Sequence, residues 1–135
     1  MEYKSREDYD KFFWYNTKEN CVFCKEKIST TNKILYETDF WIIIYAKYPY
    51  FEESIHLLVL PKRHSEFTVD LKKEELADFL EVEKYIKVFF WDKDYFSLIR
   101  QSRSNKSIEH LHYHYISWIP SSRKIEGENY FKIKS

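Results

Sequence analysis

One glycine, Gly127, and three prolines are spread over 135 residues. That scarcity excludes the glycine-rich phosphate cradles. Neither a P-loop nor a dinucleotide fingerprint can be assembled without several glycines. Any phosphate chemistry must therefore use side chains or helix N-termini. Net charge is missing as well: 22 basic and 22 acidic residues cancel. No long-range pull toward nucleic acid or an anionic membrane is built in, so neither is expected as a partner. Long apolar runs are absent too. The longest, FWIIIYA over residues 40–46, is far too short to span a bilayer. The opening MEYKSREDYDKFFWYN lacks the apolar core of a signal peptide. The expectation is a soluble cytoplasmic protein. Disulfide chemistry has little to draw on, since Cys21 and Cys24 are the full complement of cysteines. In an intracellular setting they read as ligands or redox thiols before they read as a structural bridge.

What is present is enough for a core, with 44% hydrophobic and 20% aromatic residues. The length fits one domain over 1–135, with its core at about 21–120. Residues 5–16 are charged and aromatic and read as a short N-terminal helix, and CVFCKEKI as a turn. Four segments, 33–38, 40–47, 55–61 and 95–101, are rich in β-branched and aromatic residues and read as strands, and 108–119 as a fifth ended by Pro120. Between the third and fourth strands, residues 71–90 place Leu71, Leu76, Phe79, Leu80, Val82, Ile86 and Phe89 or Phe90 near helical spacing, with Asp70 as N-cap. The last 15 residues are polar and carry no clear period. The fold class expected is α+β: a five-stranded, mainly antiparallel sheet with one long helix across a face and a short N-terminal helix.

The stretch EHLHYHYIS puts His110, His112 and His114 at every second position. In a strand that spacing aligns them on one face, roughly 7 Å apart along the chain. Leu111, Tyr113 and Tyr115 then face the opposite way, giving the row an apolar back and an open front. Three readings stand beside one another: a solvated polar face, a single metal held by all three imidazoles, or a nucleophilic imidazole whose neighbours hold the electrophile. Cys21-x-x-Cys24 is similarly open between half a zinc site, buried thiols and a redox pair.

Two other stretches accompany the row: IHLLVLPKRH at 55–64 and CVFC at 21–24. In this order over residues 21–120, the three resemble the hallmarks of the histidine triad (HIT) family in its zinc-binding branch. The resemblance implies a nucleotide hydrolase or transferase with a purine nucleotide as its substrate. His112 matches the histidine that attacks the α-phosphorus and forms a covalent nucleotidyl-imidazole. His114 and His56 match those that hold the phosphate oxygens. Ser107 matches a serine that helps the leaving group depart, although strand parity puts it on the face opposite the histidines. Cys21, Cys24, His64 and His110 match the ligands of a structural zinc ion. Many relatives are two-fold dimers, and Phe79, Val82, Phe89, Phe90 and Trp91 give the long helix a wide apolar face for a homodimer.

The chain also departs from the family pattern. YAKYPYFEES has no Asp or Asn before Pro49 to grip the ribose, Asn105 and Lys106 replace the usual Gly and Gln, and Ser117-Trp118-Ile119-Pro120 follows the triad. Glu52 and Glu53 are the candidates to substitute for the ribose acid, with no motif that assigns the role to either. Trp41, Phe40 and Tyr50 are within reach to stack a base, though core packing is the commoner fate of such rings. Two rival functions follow: a nucleotide-binding protein without turnover, and a metal-dependent hydrolase built on the three histidines.

Overall fold

The computed structural model describes residues 21, 23–51, 53–102, 110–125 and 128–134. The expected helix at 5–16, together with Glu52 and Ser107, lies outside the described residues. In chain order the elements are α1 (Lys25–Thr31), β1 (Ile34–Glu37), β2 (Trp41–Tyr45), β3 (His56–Pro61), a 3-10 turn (Thr68–Asp70), α2 (Lys73–Phe90), β4 (Phe96–Leu98), β5 (Tyr113–Ile116), β6 (Ile119–Ile125) and β7 (Glu128–Lys134). Five strands form one sheet in the order β1-β2-β3-β5-β4, with every neighbouring pair antiparallel. The α+β expectation holds.

β2 and β3 are near-continuous apolar runs because both sheet faces are covered. On one face Trp41, Ile43, Leu57, Val59 and Tyr115 pack under Val82, Ile86 and Phe90 of α2. On the other, Ile42, Ile44, Leu58 and Leu60 meet Cys21, Phe23 and Ile28. Each fully buried aliphatic side chain contributes about 1.5–3 kcal/mol, so the central strands are fixed from above and below. Polar ties set where α2 sits. Asp78 Oδ2 accepts from Thr38 Oγ1 at 2.7 Å and from the Phe40 N–H at 2.8 Å, and Trp41 Nε1 donates to the Glu75 carbonyl at 2.8 Å.

Several boundaries differ from the sequence expectation. CVFCKEKI does not end as a turn, for Lys25–Thr31 is helical. Among its described side chains Ile28 is the one deep anchor, too little to write a period. Asp70 does not cap α2; it accepts the Phe67 N–H within the 3-10 turn, while Glu75 reaches back to the Lys72 N–H at 2.8 Å. Leu76 and Leu80 lie exposed, whereas Val82 and Phe90 belong to the chain's own core. The fifth strand pairs only over Tyr113–Ile116. Past it, Ile55 and Ser117 close the ladder, the Ile55 N–H donating to Ser117 Oγ and the Ser117 N–H to the Ile55 carbonyl. Pro120 lies inside β6, not at the end of a strand, and β6 pairs with β7 in a separate two-stranded sheet. The polar C-terminal stretch thus forms a hairpin, with too few apolar residues to announce it.

Candidate active site and metal cluster

The register of β3 against β5 builds the site. His56 pairs with Ile116 and Leu58 with His114, so the two histidines are diagonal neighbours on one face, close enough for direct contact. His56 Nε2 and His114 Nδ1 are 2.9 Å apart. The Tyr50 N–H donates to His56 Nδ1 at 3.2 Å. That nitrogen is therefore the acceptor, and neutral His56 carries its proton on Nε2 and gives it to His114 Nδ1. His114 in turn bears its proton on Nε2. Burial, and then the nearby His112, push His56 down to about 4, so it is neutral at pH 7.

His112 lies just before β5, with its ring 5.0 Å from that of His114. Its Nδ1 donates to the His110 carbonyl at 2.8 Å, which places the lone pair of the neutral ring on Nε2. Phe23 packs edge-on to the same ring at 5.6 Å. The front of the row is less open than strand alternation implies. His56 and His114 are buried, and Tyr50 stacks on His114 with centroids 5.2 Å apart and planes 27° apart.

The first histidine of the row turns elsewhere. His110 is fully buried and its Nε2 donates to the Pro61 carbonyl at 2.7 Å. That contact fixes the tautomer and directs Nδ1 to the cysteines, 3.5 Å from Cys21 Sγ and 3.7 Å from Cys24 Sγ. Cys24 Sγ is also 3.2 Å from His64 Nδ1. The four ligand atoms of Cys21, Cys24, His64 and His110 all fall within 4.8 Å of one another. Zinc bonds of about 2.3 Å to sulfur and 2.0 Å to nitrogen at a tetrahedral angle put S and N about 3.5 Å apart. The donor set and its spacing fit such an ion, and the His110–Pro61 contact is the outer-shell support that a ligating imidazole needs. Burial pushes the Cys21 thiol up to about 12. Coordination acts in the opposite direction, because the thiolate is the ligand.

The sequence-predicted residues thus fall into two adjoining groups, His56 with His112 and His114, and Cys21 and Cys24 with His64 and His110. Of the aromatic candidates, Trp41 is core, Phe40 is exposed at the β1–β2 turn, and Tyr50 lies on the histidines. Glu53 is exposed. Sequence reading missed the Tyr50 backbone contact and also Arg100, whose Nη1 donates to the Tyr50 hydroxyl at 2.8 Å. A spacing of 50 residues with no motif offers no signal for that pair.

Sheet, long helix and alternating histidines beside a Cys₂His₂ cluster define a class of α+β protein with a histidine-lined site. A family model described as "Scavenger mRNA decapping enzyme C-term binding" matches residues 20–128, and the chain belongs to this family, within the histidine triad (HIT) group. A curated relative, galactose-1-phosphate uridylyltransferase of Thermotoga maritima, is 28% identical over 121 residues, which is 82% of this chain. The chain spans only 36% of that relative's length. Among solved structures it is similar to a HIT family hydrolase from Clostridium thermocellum, with TM-score 0.63, 26% identity and coverage of 81% of this chain and 99% of the other. A histidine triad nucleotide-binding protein from Sulfolobus tokodaii gives a TM-score of 0.61 at 28% identity, covering 82% and 72%. One from Candida albicans gives 0.60 at 25%, covering 82% and 79%.

Proposed function

We propose that this chain is a nucleotide hydrolase or transferase that works through a covalent nucleotidyl-histidine at His112. The observation that carries the reading is the Nδ1–H···O=C contact of His112 with His110, which leaves the basic nitrogen of the ring as Nε2. In the proposed reaction Nε2 attacks the α-phosphorus of a purine nucleotide ester, anhydride or phosphoramidate. The bond to the leaving group breaks, and the phosphate is held by the Nε2–H of His114, with His56 behind it. Negative charge grows on the phosphate oxygens in the transition state, where pre-placed donors are most effective. Water or another acceptor then releases the nucleotide. Ser107 is assigned, on resemblance alone, to the leaving group. Zinc at Cys21, Cys24, His64 and His110 would be structural, since four protein ligands leave no open coordination position. A cytoplasmic location and a homodimer complete the proposal. Among the described residues no helix is long and apolar enough to cross a membrane.

The three-histidine metal hydrolase is less well supported, because His110 directs one nitrogen to the cysteines and the other to Pro61. The non-catalytic alternative draws on the missing ribose acid, and it predicts nucleotide binding unchanged in His112→Asn with no turnover in the wild type.

Mass spectrometry of protein quenched after exposure to adenosine-phosphate substrates tests the proposal. A nucleotidyl mass on a peptide containing His112 is expected. His112→Ala should lose the adduct and nearly all turnover, because the covalent route closes. His114→Ala should lose roughly 10²–10³ in rate, as for one transition-state donor. Turnover surviving in His112→Ala but absent in His114→Ala would reverse the assignment.

A further inference from the structure

Arg100 follows β4 by two residues, and its guanidinium packs on Tyr50. Nη1 donates to the Tyr50 hydroxyl at 2.8 Å, and Cζ lies 5.9 Å from the Tyr50 ring centre. That tyrosine also touches the histidine site: its ring stacks on His114 and its N–H donates to His56. One residue therefore links a cation to both His56 and His114. The chain after Arg100 is held as well. Gln101 Nε2 donates to Thr68 Oγ1 at 2.6 Å, and Gln101 Oε1 accepts the Thr68 N–H at 3.2 Å. With β4 on one side and this clamp on the other, the half-buried guanidinium is a placed charge.

Its company is unusual for a half-buried arginine. Among the described residues no carboxylate forms an ion pair with Arg100. The groups between it and His112 are a phenol and imidazoles that supply hydrogen bonds and no fixed charge. A guanidinium fork matches phosphate geometry and stays charged at any working pH.

We propose that Arg100 determines leaving-group specificity by binding a second anionic group attached to the α-phosphate, favouring nucleoside polyphosphate anhydrides over substrates with an uncharged amine or alcohol leaving group. The proposal rests on His112 being the nucleophile. The rings of His112, His114 and Tyr50 pack in succession up to the guanidinium, and the proposal puts the departing group, on the side of phosphorus away from His112, in its reach. As the N–P bond forms, the P–O bond to the bridging oxygen breaks. That oxygen keeps the electron pair and leaves as a terminal oxygen of the released phosphate. The charge it gains is met by Arg100, with no proton required. An amine leaving group has the opposite need, a proton and no cation.

Calorimetric binding of AMP and of α,β-methylene-ADP, whose bridging carbon cannot be cleaved, tests this with wild type, Arg100→Gln and Arg100→Lys. Wild type should favour the methylene compound by about tenfold or more, the scale of one charge-assisted contact. Arg100→Gln should bring the two ligands to within about twofold, and Arg100→Lys should lie between. Raising salt should erode the wild-type preference, a measurement that needs no variant. AMP binding without preference for the methylene compound, or a preference kept in Arg100→Gln, overturns the Arg100 assignment and leaves the nucleotide site standing. Failure of AMP itself to bind overturns both.

Discussion

A neutral imidazole carries one proton on two nitrogens, so a contact at either nitrogen decides what the other can do. Three rings here take their tautomers from the backbone: His110 from the Pro61 carbonyl, His112 from the His110 carbonyl and His56 from the Tyr50 N–H. His114 receives its tautomer from His56. Burial, not these backbone contacts, makes the site pH-sensitive. His56 is depressed from 6.5 to about 4 by burial, with the nearby His112 adding to the shift. Between those values the unfolded chain binds a proton that the native chain refuses. Stability is therefore full above about pH 6.5, falls as the pH drops, and loses on the order of 3 kcal/mol by pH 4. Denaturant titrations of wild type and His56→Gln should show this as a difference in slope over pH 4–6.5, and parallel curves would contradict it. At this scale the sequence was informative where residue type and spacing coincide. Histidine spacing and Cys-x-x-Cys mark the residues that gather at the site, although only His114 of the row lies within β5 and His110 turns to the cysteines. Tyr50 and Arg100 carry no such mark, and tertiary contact alone gives them their places.

Elements bring the two histidine groups together. The metal cluster joins the start of α1, the loop after β3 and the run-in to β5, where the Leu111 N–H also donates to the Ser65 carbonyl at 2.6 Å. His112 lies two residues from His110 of this candidate metal cluster, so whatever holds His110 also holds the proposed nucleophile. One equivalent of zinc should copurify with the protein. Cys24→Ser should lower both the zinc content and the melting temperature, the latter by about 10 °C or more, because each kcal/mol shifts a domain of this size by roughly 4 °C. Metal-free wild type that melts with Cys24→Ser would remove zinc from the account. Elements with a strong apolar signal, a continuous run in β2 and β3 and a helical period in α2, were readable in the sequence. Those without such a signal were not: α1 has a single buried anchor among its described side chains, and the β6–β7 hairpin carries its pairing on a polar stretch.

At the scale of the molecule, α2 has two faces with different fates. Val82, Ile86 and Phe90 fill the core over β2, β3 and β5, while Leu76, Leu80, Val88 and Trp91 are exposed along the other side. Spacings of four and eight residues keep Leu76, Leu80 and Val88 on one side of the helix. Trp91, 79% exposed at a positive φ of 53°, extends the stripe past the helix end. Apolar stripes of this kind are uncommon on monomers and mark contact surfaces. A two-fold axis would let the stripe meet its own copy, since an isologous interface needs only one self-complementary patch. We therefore expect light scattering at micromolar concentration to give twice the 16.8 kDa chain mass. Leu80→Glu puts a charge into the middle of the stripe without touching the core, so it should yield a folded species of single-chain mass. Wild type at the single-chain mass across that range would reject the dimer, and a dimer indifferent to Leu80→Glu would move the interface off α2.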